Sequence, residues 1–224
     1  MAQSASKTVS LPTRIETIDF LRGLVMILMA LDHVRMYFAL GTWYAEPTDL
    51  ATTTPLLFFT RWITHFCAPV FVFLAGTSAF LYGSKKESIR ETAAFLLTRG
   101  LWLIFVELVI VNFAWTFDVT YSFRLLQVIW AIGISMVALS ALVFLPIHWV
   151  FSIGMLLVFG HNLLDSITVQ GSSARALLWY TLHQPNFVLI DATRVNFLYP
   201  VLPWIGLMAL GYVFGTLYQE GVSP

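Results

Sequence analysis

Asp19, Arg22, Asp32 and His33 all fall on one apolar run, Ile18 to Arg35 (IDFLRGLVMILMALDHVR). An ionisable side chain midway along a membrane helix costs about 2.5–3.5 kcal/mol on insertion scales. Four on one segment therefore call for a role beyond anchoring. Arg22 and His33 are eleven residues apart, and eleven steps of about 100° return to within roughly 20° of the start. Both then project from one face, about 16 Å apart along the axis, and Asp19 sits one turn before Arg22 on nearly the same stripe. That face must border protein or water, not lipid. An imidazole titrating near neutrality can serve as base or nucleophile, and a guanidinium can hold a phosphate or carbonyl oxygen. Asp32 points about 100° away from His33, so position alone does not make it the orienting carboxylate. The bland alternative is a polar pair packed against another helix.

Further along, Arg61 and His65 are four residues apart and stack on one face, with Pro69 one turn later as an expected bend. His65 suits a second catalytic or proton-handling role, or equally an interhelical hydrogen bond. Cys67 lacks an activating neighbour in the sequence and reads as a small buried residue. Arg99 and Glu107 are eight apart, about 80° around the axis. Glu107 lies deep in apolar sequence and needs a cationic partner or a proton; Arg22 and Arg61 are the candidates, and a structural ion pair serves as well as a functional one. His161, Asn162 and Asp165 cluster at a helix end and read as solvated capping, while His148 and His183 take interfacial positions. No His-x-x-x-His or Cys-x-x-Cys pair offers a metal site, and no phosphate-loop or dinucleotide glycine signature is present.

The elements that must position these groups are membrane helices. Apolar residues make up 58% of the 224 and charged residues 11%, where a soluble domain carries about 25%; mean hydropathy is +0.81. The fold class expected is an all-α polytopic helical membrane protein. Nineteen Phe, eight Trp and eight Tyr suit interfacial aromatic belts. A net charge of zero gives no basic field for nucleic acid, and one cysteine excludes an internal disulfide. About six spans are expected, near 18–40, 57–82, 94–117, 125–145, 147–164 and 195–218, within a membrane domain of 17–218. A polar tail, 1–16, precedes it and a short one, 219–224, follows. The connection 166–194 is too long for a turn; Ala174–Leu182 reads as an interfacial helix ended by Gln184-Pro185. Gly211-x-x-x-Gly215 reads as small-residue helix packing. Lys7, Lys85, Lys86 and Arg90 place the N-terminus in the cytoplasm by the positive-inside rule, with Arg22 in the inner and His33 in the outer half of a plasma (inner) membrane, in contact with its lipid.

The run Ile18-Asp19-Phe20-Leu21-Arg22-Gly23-Leu24 resembles the opening helix of membrane proteins related to heparan-α-glucosaminide N-acetyltransferase. Ala68-Pro69-Val70-Phe71-Val72-Phe73-Leu74-Ala75-Gly76-Thr77-Ser78 resembles their second helix. Phe59 to Cys67 and Leu126 to Ala131 are similar to uncharacterised bacterial members. The Arg22–His33 spacing also resembles acyltransferase family 3. This resemblance implies acetyl-CoA or another acyl-CoA as donor, and an amine or hydroxyl of a sugar or envelope glycan as acceptor. It also implies a helical domain with more spans than appear here, of which this chain would be a truncated or shortened form.

The function expected is an acyltransferase with His33, Asp32 and His65 at the reacting centre and Arg22, Asp19, Arg61, Arg99 and Glu107 around the donor, with no metal. A proton-coupled carrier of a small solute and a non-catalytic protein that keeps the fold are the alternatives. The sequence leaves oligomeric state open, a homodimer included.

Overall fold

The computed structural model describes residues 16–38 and 47–218. They fall into two compact units, one up to Cys67 and one from Ala68. In the first unit, α1 (Glu16–Phe38) packs against α2 (Pro55–Thr64). Thr54 caps α2 by accepting from the Leu57 N–H at 3.3 Å, and Pro55 opens the helix, where a missing N–H costs nothing. The apolar run continues, but helical bonding breaks at His65-Phe66, whose N–H groups close onto Trp62 and Ile63. Pro69 explains the break: it has no N–H for the His65 carbonyl, and its ring excludes that carbonyl from a regular turn.

The second unit holds α3 (Cys67–Gly83, from Ala68 on), α4 (Ile89–Phe105), α5 (Asn112–Thr116), β1 (Phe123–Leu126), α6 (Val128–Leu142), α7 (Ile147–Gly160), α8 (Ala174–Leu182), β2 (Asn186–Ile190), β3 (Thr193–Phe197) and α9 (Leu202–Phe214). A π-helical turn, Val106–Val111, joins α4 to α5. Its helices meet backbone to backbone. A Cβ added at Gly211 of α9 would stand 2.0 Å from the Phe73 carbonyl oxygen of α3, and one at Gly76 would stand 2.0 Å from Met208 O. Gly100 of α4 and Gly133 of α6 approach in the same way. Val72, Leu96, Leu139, Val150 and Met208 fill the space between the helices. The small-residue reading of Gly211 and Gly215 is therefore the observed one.

Two expectations change. Among the described residues three helical stretches are long and apolar enough to cross a membrane, Pro55–Gly83, Ile89–Thr116 and Ile147–Leu164, where about six spans were expected. Val128–Leu142 and Leu202–Tyr218 are apolar but shorter, and α1 carries Asp19, Arg22, Asp32 and Arg35. Nor is the chain all-α. A three-stranded sheet, order β1-β3-β2, pairs β1 parallel to β3 and β2 antiparallel to β3. It takes up apolar residues expected at the starts of the fourth and sixth spans. Short apolar runs are ambiguous between strand and helix; here burial alternates, with Val195 and Phe197 inward and packed on Ala176 and Tyr180 of α8. The pairing also fixes topology. β1 follows α5, β3 precedes α9, and the two can pair only if both connections emerge at one end of the helices.

Candidate functional site

Helix α1 runs unbroken through every charged residue of the opening segment, so Arg22 and His33 keep their shared side. The buried line of α1, however, passes through Ile18 and Val25, and Asp32 lies within about 20° of Val25. Asp32 is the ionisable group on that line; His33 lies about 80° off it and is exposed.

Asp32 is the hub of the first unit. Its Oδ1 accepts from Arg35 one turn on, from the Thr64 hydroxyl at 2.8 Å and from Arg61 Nη1 at 3.4 Å. One carboxylate thus gathers two guanidiniums. Arg61 and Thr64 are also tied to each other at 3.4 Å. Arg22 pairs with Asp19 at 3.7 Å, one turn apart on an accessible face. Cys67 is buried, its thiol turned to the Val25 carbonyl at 3.7 Å.

Two histidines of this unit share a ring orientation. His33 Nδ1 lies 2.7 Å from the Met29 carbonyl, and His65 Nδ1 lies 2.8 Å from the Arg61 carbonyl. A carbonyl can only accept, so Nδ1 carries the proton in each neutral ring. The Nε2 lone pair is left outward, the arrangement a general base needs.

In the second unit Arg99 is exposed and lies over the Phe95 ring at 5.5 Å. Glu107 is fully buried in the π-helical turn. Of the two expectations for it, a cationic partner or a proton, the partner is not found: neither carboxylate oxygen has a hydrogen-bond partner among the described residues. The backbone N–H groups of Gln127 and Trp130, at the start of α6, face the carboxylate without reaching hydrogen-bond geometry. Beside it the buried Asn112 ties the turn to β1, donating to the Glu107 and Leu125 carbonyls at 2.6 and 3.0 Å and accepting from the Leu125 N–H at 2.6 Å.

A cavity of about 280 Å³ opens where α7 ends and α9 begins, with His161, Asn162, Asp165, His183, Tyr199 and Trp204 in its wall. His183 Nε2 sits 3.0 Å from Asp165 Oδ1, and its Nδ1 is buried with no partner among the described residues. From the sequence, His161, Asn162 and Asp165 read as capping and His183 carried no weight. Twenty-two residues separate His161 from His183, and only the return of the chain through α8 brings their rings to 6.2 Å. No group of three His, Cys, Asp or Glu among the described residues is placed to hold a metal ion.

The family model for heparan-alpha-glucosaminide N-acetyltransferase, catalytic, matches residues 14–223. The chain belongs to this family. The match takes in both units, with every site residue named above. No curated protein and no solved structure matches the chain. The family places the chain among transferases and in the membrane.

Proposed function

We propose that the protein is a membrane acyltransferase that moves an acetyl or other acyl group from acyl-CoA to an amine or hydroxyl of a sugar or envelope glycan. The observation that carries this reading is the family match across 14–223. The geometry of the first unit supports it. His33 Nε2 takes the proton from the acceptor nitrogen or oxygen as that atom attacks the thioester carbonyl. The carbon–sulfur bond then breaks, and the departing CoA thiolate takes up the proton. His65, with the same ring orientation, is the alternative base. Arg22 and Arg61 bind donor phosphates or the carbonyl oxygen, Asp19 orients Arg22, and Asp32 orients Arg61. Glu107 has no arginine within hydrogen-bond reach among the described residues and takes no part in holding the donor. The basic residues Lys85, Lys86 and Arg90 favour the cytoplasmic side of the plasma (inner) membrane for the connection between α3 and α4, and the N-terminus shares that side where α1 crosses as well.

The test uses purified protein, labelled acetyl-CoA and an amine-bearing sugar. His33→Ala should lose transfer at least about a hundredfold while still inserting into membrane. Undiminished transfer by that variant removes His33 from the reaction. One observation favours a second reading: a fully buried carboxyl, Glu107, inside a membrane span suits proton-coupled solute movement. Flux in proteoliposomes under a pH gradient, without acyl-CoA and lost in Glu107→Gln, would favour that carrier.

A further inference from the structure

The sheet has two faces, and α8 covers one of them. Side chains alternate along a strand, so the register fixes which residues share a face. Leu126, Val188, Val195 and Phe197 pack toward α8. The other face carries Phe123 and Leu125 of β1, Arg194 and Asn196 of β3, and Phe187 and Leu189 of β2. Arg194 stands between Phe123 and Leu189, its partners in the register, and the Phe123 and Phe187 rings approach to 6.2 Å between centroids. Phe187 and Leu189 are 55% and 58% exposed. An apolar surface of this kind, with one cation and no carboxylate, marks an interaction site.

The bonds that fasten the sheet fix where it lies. The stretch Ile89–Thr116 has 28 residues, about 42 Å of helix against a hydrocarbon core of about 30 Å, so its ends reach the headgroups. β1 is held level with its last turns, because Asn112 bonds both the N–H and the carbonyl of Leu125. The loop before β1 folds back along the same stretch, the Tyr121 hydroxyl donating to the Val109 carbonyl at 3.1 Å. That loop displays Phe117 and Val119, each 78% exposed. Phe117 and Tyr121 take left-handed backbone there, φ 51° and 52°, which bulky residues rarely adopt. The Asp118 carboxylate fixes the turn by accepting from the Thr120 and Ser122 N–H groups. The open face and the loop thus continue the apolar surface of a membrane span at the level where hydrocarbon gives way to headgroups. Aromatic rings are enriched at that level. A guanidinium among them meets phosphate, and an anionic lipid surface attracts it.

We propose that the open face of the sheet and the 117–122 loop lie on the bilayer, with Phe117, Val119, Phe187 and Leu189 among headgroups and upper acyl chains and Arg194 on a lipid phosphate. Neither donor nor acceptor enters this contact, so its test is independent of the transferase reading. The experiment uses the full chain in vesicles of phosphatidylcholine and phosphatidylglycerol. Cys67→Ala removes the native thiol, and an environment-sensitive fluorophore is placed on Leu189→Cys or, separately, on Phe117→Cys. Nitroxide high on the lipid chain should quench both probes strongly, and aqueous iodide only weakly. Phosphatidylglycerol carrying the nitroxide should quench the Leu189→Cys probe about fivefold more than phosphatidylcholine carrying it. Arg194→Gln should bring that ratio close to one, and Arg194→Lys, which keeps the charge, should retain it. Probes open to iodide and untouched by lipid nitroxide place the face in water and overturn the proposal. Shielding from both quenchers that disappears on dilution with excess lipid assigns the face to a second copy of the chain, and overturns it too. A lipid ratio unchanged in Arg194→Gln removes the phosphate contact and overturns it as well.

Discussion

In the unit up to Cys67 a carboxylate organises the packing, with Arg35, Arg61 and Thr64 all converging on Asp32. In the unit from Ala68 a missing side chain does so, since a Cβ at Gly76 or Gly211 would stand where the facing helix has its carbonyl oxygen. The first kind of contact is directional, partly accessible and open to exchange with another charged partner. The second is a fit of shape, gained in full or lost. Chemistry that must bind and release an anionic donor is better served by the first, and a scaffold that must hold still is better served by the second.

The largest effect that would sharpen this contrast is at Gly211. Gly211→Val should cost about 3 kcal/mol or more by overpacking, read as a lowered unfolding temperature and loss of a monodisperse species in detergent. Gly23 in α1 has nothing within 4 Å of an added Cβ, so Gly23→Ala should stabilise by about 0.5–1 kcal/mol. If the two glycines respond alike, the difference between the units is not one of shape. Asn112 is next. Asn112→Ala strands the N–H and C=O of Leu125 and should cost about 2–3 kcal/mol, with hydrogen exchange quickening at β1 before α9. A smaller effect belongs to the hub itself. The Asp32 and Arg61 side chains are about 28% and 30% exposed, so a double-mutant cycle of Asp32→Asn with Arg61→Gln should show coupling of about 1 kcal/mol. Coupling near zero would mean that Thr64 and Arg35 hold Asp32 without Arg61.

The smallest effect is in the loop before β1. There the Asp118 carboxylate accepts from the hydroxyls and backbone N–H groups of Ser122 and Thr120 at 2.6–2.8 Å. These bonds, Ser122 first, hold its pKa well below the usual carboxylate range. A folded pKa below the unfolded one, about 3.9, gives a contribution present above that value and lost as pH falls below it. Protection of the Thr120 and Ser122 amides, taken relative to their intrinsic exchange rates, should fall progressively as pH drops below about 4 toward the folded pKa, and Asp118→Asn should erase that dependence.

Helical segments were legible from the sequence because apolar length and rare charges suffice to mark them. Ile147–Leu164 and Ala174–Leu182 have the bounds expected of them. The sheet was not legible, because strands of four or five residues share their apolar composition with the helix starts they adjoin. Asp32 was visible as a costly residue, yet its place on the buried line of α1, and not His33's, depends on where Thr64 and Arg61 lie. The imidazole tautomers at His33 and His65 depend on backbone carbonyls one turn away. Any helix supplies such a carbonyl, so helical spacing alone carries that signal.

Composition by itself determined that this chain enters a membrane, since so few charges cannot keep so many apolar residues in water. The residues themselves also disclosed the family, through the opening helix and the stretch from Ala68 to Ser78. Tertiary structure alone decided which groups meet: Asp165 with His183, His161 with His183, Gly76 with Met208. Each of those meetings joins residues far apart in the sequence, and local spacing carries no information about the path by which the chain returns.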